Sequence, residues 1–399
     1  MLVTGCWLLV AGYRKPETSH QKPAAPTHKP ITMMSQNFQI TRTVTNIIAF
    51  VFLILIDAAC GSPNEKDHDN GSDVTLKSPG IIFDKPSRMQ AFSMGATIDI
   101  SIRFASPDIK YDSLTVTINN EKQYQKLSSP NSKIKLTTDH TGMQTIRVTV
   151  HAPDTTYAES QVVNCFSDIK PTAYKYKVLK KYKHNPEDYT QGLIYSDGFM
   201  YEGTGQKGES LLKKYKLENG ELMQSYNMPA EDFGEGIVLY KKKIYQLTWQ
   251  SGVAYEYDSK TFKMINRFVV QTEGWGITNY NDNLIMSDGT NILYVLSPES
   301  FDVVKRIEVY DNVGPVSQLN ELENINGKIF ANVYMTDFIV IIDPGSGRVE
   351  GKINMEGLLK QADNSENAEV LNGIAWKGEQ NRLLVTGKWW PDLFYVEYF

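Results

Sequence analysis

The chain has 399 residues, 41% of them apolar and 22% charged, a globular composition that excludes wholesale disorder, collagen and coiled coil and, at roughly 150 residues per domain, allows two or three domains. With 41 lysines and arginines against 46 aspartates and glutamates the formal charge is -5, so no nucleic-acid partner held by phosphate contacts is expected. Aromatic residues make up 11%, led by 22 tyrosines, which favours strands, and three cysteines, Cys6, Cys60 and Cys165, exclude a disulfide framework.

The apolar run 47–56 is about half the ~20 residues a membrane-spanning helix needs. It reads as a signal-peptide core, with Arg42 as basic flank, Ala58-Ala59 as the small-residue approach to cleavage, and Cys60 directly after. Residues 61–78 follow as a flexible tether, rich in Gly, Ser, Asn and charge up to position 73. The arrangement resembles a bacterial lipoprotein signal, in which the cysteine becomes the lipidated first residue of the mature protein, although Asp57 stands where that pattern prefers an aliphatic residue. It implies an exported protein held by a lipid anchor in a bacterial envelope, periplasmic or on the cell surface. An uncleaved anchor, or ordinary secretion with Cys60 incidental, is the alternative. Residues 1–32 precede Met33-Met34 and have no place before a signal core; a start placed too early would explain them. Processing at Cys60 would remove Cys6, acylate Cys60 and leave Cys165 alone.

Residues 79–168 alternate with period two, as in Ala96-Thr-Ile98-Asp-Ile100-Ser-Ile102-Arg-Phe104 and Ile146-Arg-Val148-Thr-Val150. Turn clusters such as Ser129-Pro130-Asn131-Ser132 separate the runs. An immunoglobulin-like β-sandwich is expected, with His140 and His151 at its surface because no second ligand recurs at metal spacing.

Residues 174–399 repeat themselves. A strand, a tight turn and another strand recur at Tyr215-Lys-Leu-Glu-Asn-Gly-Glu, Tyr257-Asp-Ser-Lys-Thr-Phe-Lys, Leu296-Ser-Pro-Glu-Ser-Phe-Asp and Ile342-Asp-Pro-Gly-Ser-Gly-Arg. A second element appears five times, as Gln191-Gly-Leu-Ile, Glu235-Gly-Ile-Val, Trp275-Gly-Ile-Thr, Asn320-Glu-Leu-Glu and Asn372-Gly-Ile-Ala. Repeats of roughly 45 residues with four short strands are propeller blades, so an all-β chain is expected, its sandwich followed by a five-bladed β-propeller. The segment 176–182 precedes Gln191 as an outer strand without a blade of its own. It is expected to complete the last blade and so close the ring.

The innermost strands of a propeller line its axis, so Gln191, Glu235, Trp275, Asn320 and Asn372 should ring one mouth. The next strand returns to that face, and counting along it adds Trp249, Tyr334 and Lys388. Unlike residues at like positions, aromatic walls and a few polar groups describe a small-molecule site. Asp258, Asp343 and Pro298 recur at outer turns and are read as turn geometry. Glu273, Asp288 and Glu323 receive no role.

The strings Tyr189-Thr-Gln-Gly-Leu, Tyr201-Glu-Gly-Thr-Gly, Phe233-Gly-Glu-Gly-Ile, Gln246-Leu-Thr-Trp249, Glu273-Gly-Trp-Gly, Leu319-Asn-Glu-Leu-Glu, Ala331-Asn-Val, Leu371-Asn-Gly-Ile-Ala and Thr386-Gly-Lys, in this order, resemble the glutaminyl-peptide cyclotransferases of plant and bacterial type. The resemblance covers the propeller and neither the sandwich nor the leader. It implies conversion of the amino-terminal glutamine of a peptide or protein to pyroglutamate with release of ammonia. The family's pocket residues carry over to Gln191, Phe233, Glu235, Trp249, Trp275, Asn320 and Lys388, to Tyr189 where phenylalanine is usual, and to Tyr334 where tryptophan is usual. Both exchanges keep an aromatic wall and alter its shape. The resemblance implies no catalytic metal or other cofactor, in keeping with the lack of a His/Cys ligand set, while Glu235, Asn320 and Asn372 could supply a structural cation site in the channel.

The chemistry implied is attack of the substrate's α-amine on its γ-carboxamide carbon. It needs a group that accepts a proton and returns it to the leaving nitrogen, for which Glu235 is the candidate. Asn320, Gln191 or Lys388 could donate to the developing oxyanion. Trp249, Trp275, Phe233 and Tyr334 would hold the substrate folded and exclude water. Two other readings are a propeller without catalysis that binds peptides or glycans at the cell surface, and a metal-dependent hydrolase. The lipoprotein expectation has its own test: Cys60→Ser should release the protein from the membrane fraction or leave it unprocessed, as read by fractionation and intact mass.

Overall fold

The computed structural model describes residues 80–107, 109–119 and 125–399; the leader, the signal segment with Cys60, and the tether lie outside the described residues. Among those described, no helix is long and apolar enough to cross a membrane.

Alternation builds the first domain. Along Thr97–Phe104 the side chains of Ile98, Ile100 and Ile102 are buried between outward polar neighbours. One sheet joins this strand to Ile81–Lys85 and Asn131–Lys135. A second orders Ala91–Ser93, Thr155–Phe166, Gly142–Ala152, Ser113–Ile118 and Gln125–Leu127. Ile98, Ile100 and Ile134 of the first sheet share a core with Leu114, Val116, Ile146 and Val148 of the second, the sandwich that the alternation calls for. Cys165 is a buried free thiol in that core, pushed up to about 11 by burial.

Five antiparallel sheets follow in order. Blade 1 is Thr190–Ser196, Phe199–Thr204, Leu211–Lys216 and Leu222–Asn227. Blade 2 runs Gly234–Tyr240, Lys243–Thr248, Val253–Asp258 and Met264–Val269, and blade 3 Ile277–Tyr280, Asn283–Ser287, Ile292–Leu296 and Val303–Glu308. Blade 4 is Leu319–Ile325, Lys328–Val333, Phe338–Ile342 and Val349–Asn354. Blade 5 takes Leu371–Ala375, Arg382–Gly387 and Asp392–Tyr398 from the end of the chain and its outer strand, Tyr176–Lys183, from before blade 1. Tyr176 lies opposite Tyr398 and Tyr182 opposite Leu393, so the ring closes by backbone pairing. One strand escaped the sequence reading: Thr172–Tyr174 adds in parallel to the outer edge of blade 4.

The sandwich is tied to the propeller's flank. Thr141 donates its hydroxyl to Glu308 O at 2.6 Å and its N–H to Ser346 O at 2.8 Å. Arg348 Nε meets Asp168 at 2.7 Å, and the Phe166 and Tyr310 rings lie 5.6 Å apart.

The repeated Gly of the inner strands has a steric cause. A Cβ on Gly192 would sit 2.4 Å from Ile237 N, on Gly236 2.6 Å from Trp275 O, and on Gly276 2.0 Å from Asn320 O. The inner strands thus meet backbone to backbone around the axis. Blade 4 has Glu321 at this position, and its carboxyl spans to Leu193 N of blade 1 (3.2 Å) and Ile374 N of blade 5 (2.8 Å). In four blades the pairing of the inner strand also slips at this point, between Thr190 and Gly192, Gly234 and Ile237, Leu319 and Leu322, and Leu371 and Ile374. A bulge leaves its extra residue unpaired and re-aims it, and those residues include Gln191, Glu235, Asn320 and Asn372.

Gly276→Ala must push a backbone carbonyl aside, so about 3 kcal/mol or more of stability should be lost. Gly314→Ala, in open space at ordinary φ, should stay within about 0.5 kcal/mol. Denaturant titration of the two variants checks the contrast.

Candidate active site

A pocket of about 190 Å³ opens at the mouth formed by the starts of the inner strands, and Tyr189, Gln191, Phe233, Glu235, Trp249, Trp275, Asn320, Tyr334 and Lys388 line it. The structure therefore gathers every pocket residue expected from the sequence. The fifth ring position, Asn372, differs: it stands behind Gln191 and donates to both Gln191 Oε1 and Thr190 O at 3.0 Å. That bond orients the Gln191 amide, whose Nε2 then donates to Glu235 Oε1 at 3.1 Å.

The walls are aromatic and mutually braced. Tyr189 meets Phe233 edge-on at 5.9 Å and Trp389 at 4.7 Å, Phe233 meets Trp249 at 5.7 Å, and Trp275 meets Tyr334 at 5.5 Å, the edge-to-face geometry that ring quadrupoles favour. Glycines stand behind two walls because no Cβ fits: on Gly205 it would touch the Phe233 ring at 2.4 Å, and on Gly289 the Trp275 indole at 2.6 Å. Lys388 Nζ lies over the Tyr189 ring at 4.6 Å and the Tyr334 ring at 4.9 Å, so two π-faces replace part of the water lost from its ammonium. The buried Asn320 Oδ1 has no partner among the described residues, leaving that amide available to a guest. Tyr189, where the sequence led to an expectation of an altered wall, sends its hydroxyl to Glu369 Oε2 at 3.4 Å.

The model of the glutamine cyclotransferase family matches residues 148–398. The chain belongs to the glutamine cyclotransferase family. A glutaminyl-peptide cyclotransferase of Arabidopsis thaliana is 34% identical over 236 residues, covering 58% of this chain and 73% of the relative. The crystal structure of the Myxococcus xanthus glutaminyl cyclase superposes with a TM-score of 0.53 at 32% identity, covering 57% of this chain and 98% of that one. Nearly the whole of that enzyme thus corresponds to part of this cyclotransferase-family chain, which carries substantial sequence besides.

Burial governs the titration of the pocket. Glu235 is 5% exposed, and desolvation lifts its carboxyl well above the usual range; Lys388 pulls it down and Glu273 pushes it up. Lys388, 4% exposed, is shifted the other way by its own burial, against the pull of Glu235 and Glu369. A buried carboxyl with raised proton affinity beside an amine with lowered affinity forms a pair suited to holding and releasing a proton.

Two sets of residues escaped the sequence reading. Glu273 Oε2 accepts from Trp249 Nε1 at 2.8 Å and Trp275 Nε1 at 3.0 Å; its place beside Trp275 in Glu-Gly-Trp-Gly was the only available signal. Behind blade 1, His184 donates from Nδ1 to Trp390 O at 2.6 Å and faces Glu202 Oε1 through Nε2 at 3.1 Å. Glu202 also accepts from Thr190 Oγ1 at 2.7 Å, and Lys213 pairs with Asp188. Burial opposes charge on both His184 and Glu202, yet their mutual attraction raises the imidazole and drops Glu202 to about 2, while burial and Glu202 push Asp188 up to about 6. Donor atoms of His184, Asp188 and Glu202 lie within 4.8 Å of one another, a spacing that would suit a metal ion. Their charges are already met by Lys213 and by each other, however, so the group works as an ion cluster. It joins the segment bearing Tyr189 and Gln191 to the turn bearing Lys388, and sequence spacing gave no hint of it.

Lys388→Met removes the cation that lowers Glu235. The Glu235 carboxyl should therefore keep its proton to higher pH than in wild type. Infrared pH titration of the protonated-carboxyl band, assigned by difference against Glu235→Gln, measures this shift.

Proposed function

We propose that the chain is a glutaminyl-peptide cyclotransferase that converts the amino-terminal glutamine of peptides or proteins to pyroglutamate and releases ammonia, an intramolecular aminoacyl transfer. The observation that carries the reading is the buried Glu235, oriented by Gln191 and faced by Lys388 inside one small aromatic pocket, in a chain of this family. A volume of about 190 Å³ suits one glutaminyl residue, smaller than the few hundred Å³ of a drug-sized site, and the rest of the peptide leaves through the mouth.

The α-amine, with an ordinary pKa of about 8, attacks in its neutral form. As its nitrogen bonds to the γ-carboxamide carbon, Glu235 takes a proton from it and returns that proton to the amide nitrogen, which departs as ammonia. The Asn320 amide and Lys388 face the carboxamide and stabilise the oxyanion, a role worth ~2 to 4 kcal/mol for a well-placed donor. The rings of Phe233, Trp249, Trp275 and Tyr334 hold the methylenes in the folded conformer and keep out the water that would yield glutamate. No metal takes part in these steps, so activity should survive exhaustive chelation. Export with a lipid anchor at Cys60 belongs to the same proposal and would place the pocket outside the cytoplasm.

The reading is tested by incubating the purified protein with a Gln-initiated peptide and following a mass loss of about 17 Da, that of the ammonia released by acid-base transfer. Glu235→Gln keeps the size and much of the hydrogen bonding but cannot shuttle a proton. Its kcat should fall ~100- to 10,000-fold with peptide binding retained, whereas Trp275→Ala should weaken binding as well. Cyclisation by Glu235→Gln within a few-fold of wild type would reassign the shuttle.

A further inference from the structure

We propose that Glu273, in the connection between blades 2 and 3, is a positioning residue for the cyclisation: one carboxylate clamps both indole walls of the pocket and stands as an uncompensated anion beside Glu235. The inference rests on the cyclotransferase reading above and extends it to a group outside the pocket lining.

The geometry is that of a clamp. Oε2 of Glu273 accepts from Trp249 Nε1 at 2.8 Å and from Trp275 Nε1 at 3.0 Å, while Oε1 accepts from Gln250 Nε2 at 3.0 Å. The two indoles belong to different blades. Trp249 follows the second strand of blade 2, and Trp275 precedes the inner strand of blade 3. A shared acceptor atom holds the two indole Nε1 edges to one point and so limits how far the walls of the slot can part. Trp249 is 37% exposed and has the Phe233 ring against it, so the bond to Glu273 supplies a second restraint on its indole. Hydrogen bonds to an ionised acceptor are the stronger and more directional kind.

The same carboxylate acts by its charge. Its three side-chain donors are neutral, and no lysine or arginine among the described residues pairs with it. Burial works against its ionisation, but the bonds from Gln250, Trp275 and Trp249 outweigh it and hold the group below the usual carboxylate range, which favours its charged form. Glu235 shares the pocket with the Gln191 amide and Tyr189 from the start of blade 1 and with Lys388 from the turn of blade 5, and the charge of Glu273 reaches it from behind the Trp275 wall. Lys388 favours the Glu235 carboxylate and Glu273 opposes it. Burial is the main cause of the raised Glu235 proton affinity, and the two charges adjust it from opposite sides.

The sign follows. Glu235 must be ionised to accept the first proton, so kcat/KM rises with pH through its titration. Removing the charge of Glu273 removes a contribution that keeps the Glu235 proton on, and the acid limb moves to lower pH. Three variants separate charge from clamp, with pyroglutamate formation from a Gln-initiated peptide measured across pH. Glu273→Gln should shift the acid limb downward and raise KM roughly 2- to 10-fold, the size of one hydrogen bond's net contribution. Glu273→Asp keeps the charge and shortens the reach, so KM should rise while the limb stays near that of wild type. Glu273→Ala should raise KM at least as much as Glu273→Gln and loosen the indoles, seen as faster depolarisation of tryptophan fluorescence. Should the alanine variant fail to fold by circular dichroism, the near-isosteric glutamine variant still decides. A folded Glu273→Gln enzyme with an unmoved acid limb and wild-type KM overturns the inference while leaving the cyclotransferase reading intact. Absence of pyroglutamate with the wild-type protein overturns the reading and the inference together.

Discussion

Tyr189 and Lys388 stand near opposite ends of the propeller sequence, and the pocket holds both because the ring closes between them. Closure is made twice. Backbone pairing of Tyr176–Lys183 with Asp392–Tyr398 supplies the fourth strand of blade 5 and covers the edge that Asp392–Tyr398 would otherwise leave open. Next to it, the His184, Glu202, Asp188 and Lys213 cluster joins the entry to blade 1 to the Trp390 carbonyl and, through Thr190, to the first residues of the inner strand. A buried ion cluster contributes little net stability once desolvation is counted, and losing one member strands the others without partners. Its value here is geometric, because it holds two sequence-distant walls of one pocket in register.

At the axis the constraint is steric. Five backbones converge where three inner strands have no room for a Cβ at the repeated glycine, and in blades 1, 2 and 4 a bulge at that step turns Gln191, Glu235 and Asn320 toward the mouth. Trp275, just ahead of the paired residues of blade 3, joins them there, and these unlike side chains form the site. Blade 4 replaces the glycine with Glu321, whose carboxyl is buried, pushed well above its usual range by desolvation, and shared between blades 1 and 5. Hydrogen bonds of Glu321 thus link the inner strands of blades 1, 4 and 5.

Desolvation links the fold to the chemistry. Glu235 and Lys388 are both nearly excluded from solvent, so each is displaced from its ordinary titration range toward the other. Gln191, itself aligned by Asn372, adds a neutral donor that steers one carboxylate oxygen without fixing its charge. The surrounding rings are braced edge to face, and two of them are seated on glycine, so the apolar walls are as firmly placed as the polar groups.

Much of this is written along the chain. Period-two alternation around Ile98 to Phe104 specifies half-buried strands, the five copies of the element that begins at Gln191, Glu235, Trp275, Asn320 and Asn372 specify five blades, and the spacing between that element and the strand after it brings Trp249, Tyr334 and Lys388 to the same mouth as Gln191 and Glu235. These features are legible because they are local and periodic, and a propeller converts sequence period directly into angular position. The role of Glu273, the buried cluster around His184, the link made by Glu321 and the withdrawal of Asn372 behind Gln191 were settled only by the folded chain. Their partners come from different blades at no regular spacing. Their charge states follow from burial and neighbouring charge, which exist only once five sheets have closed around one axis.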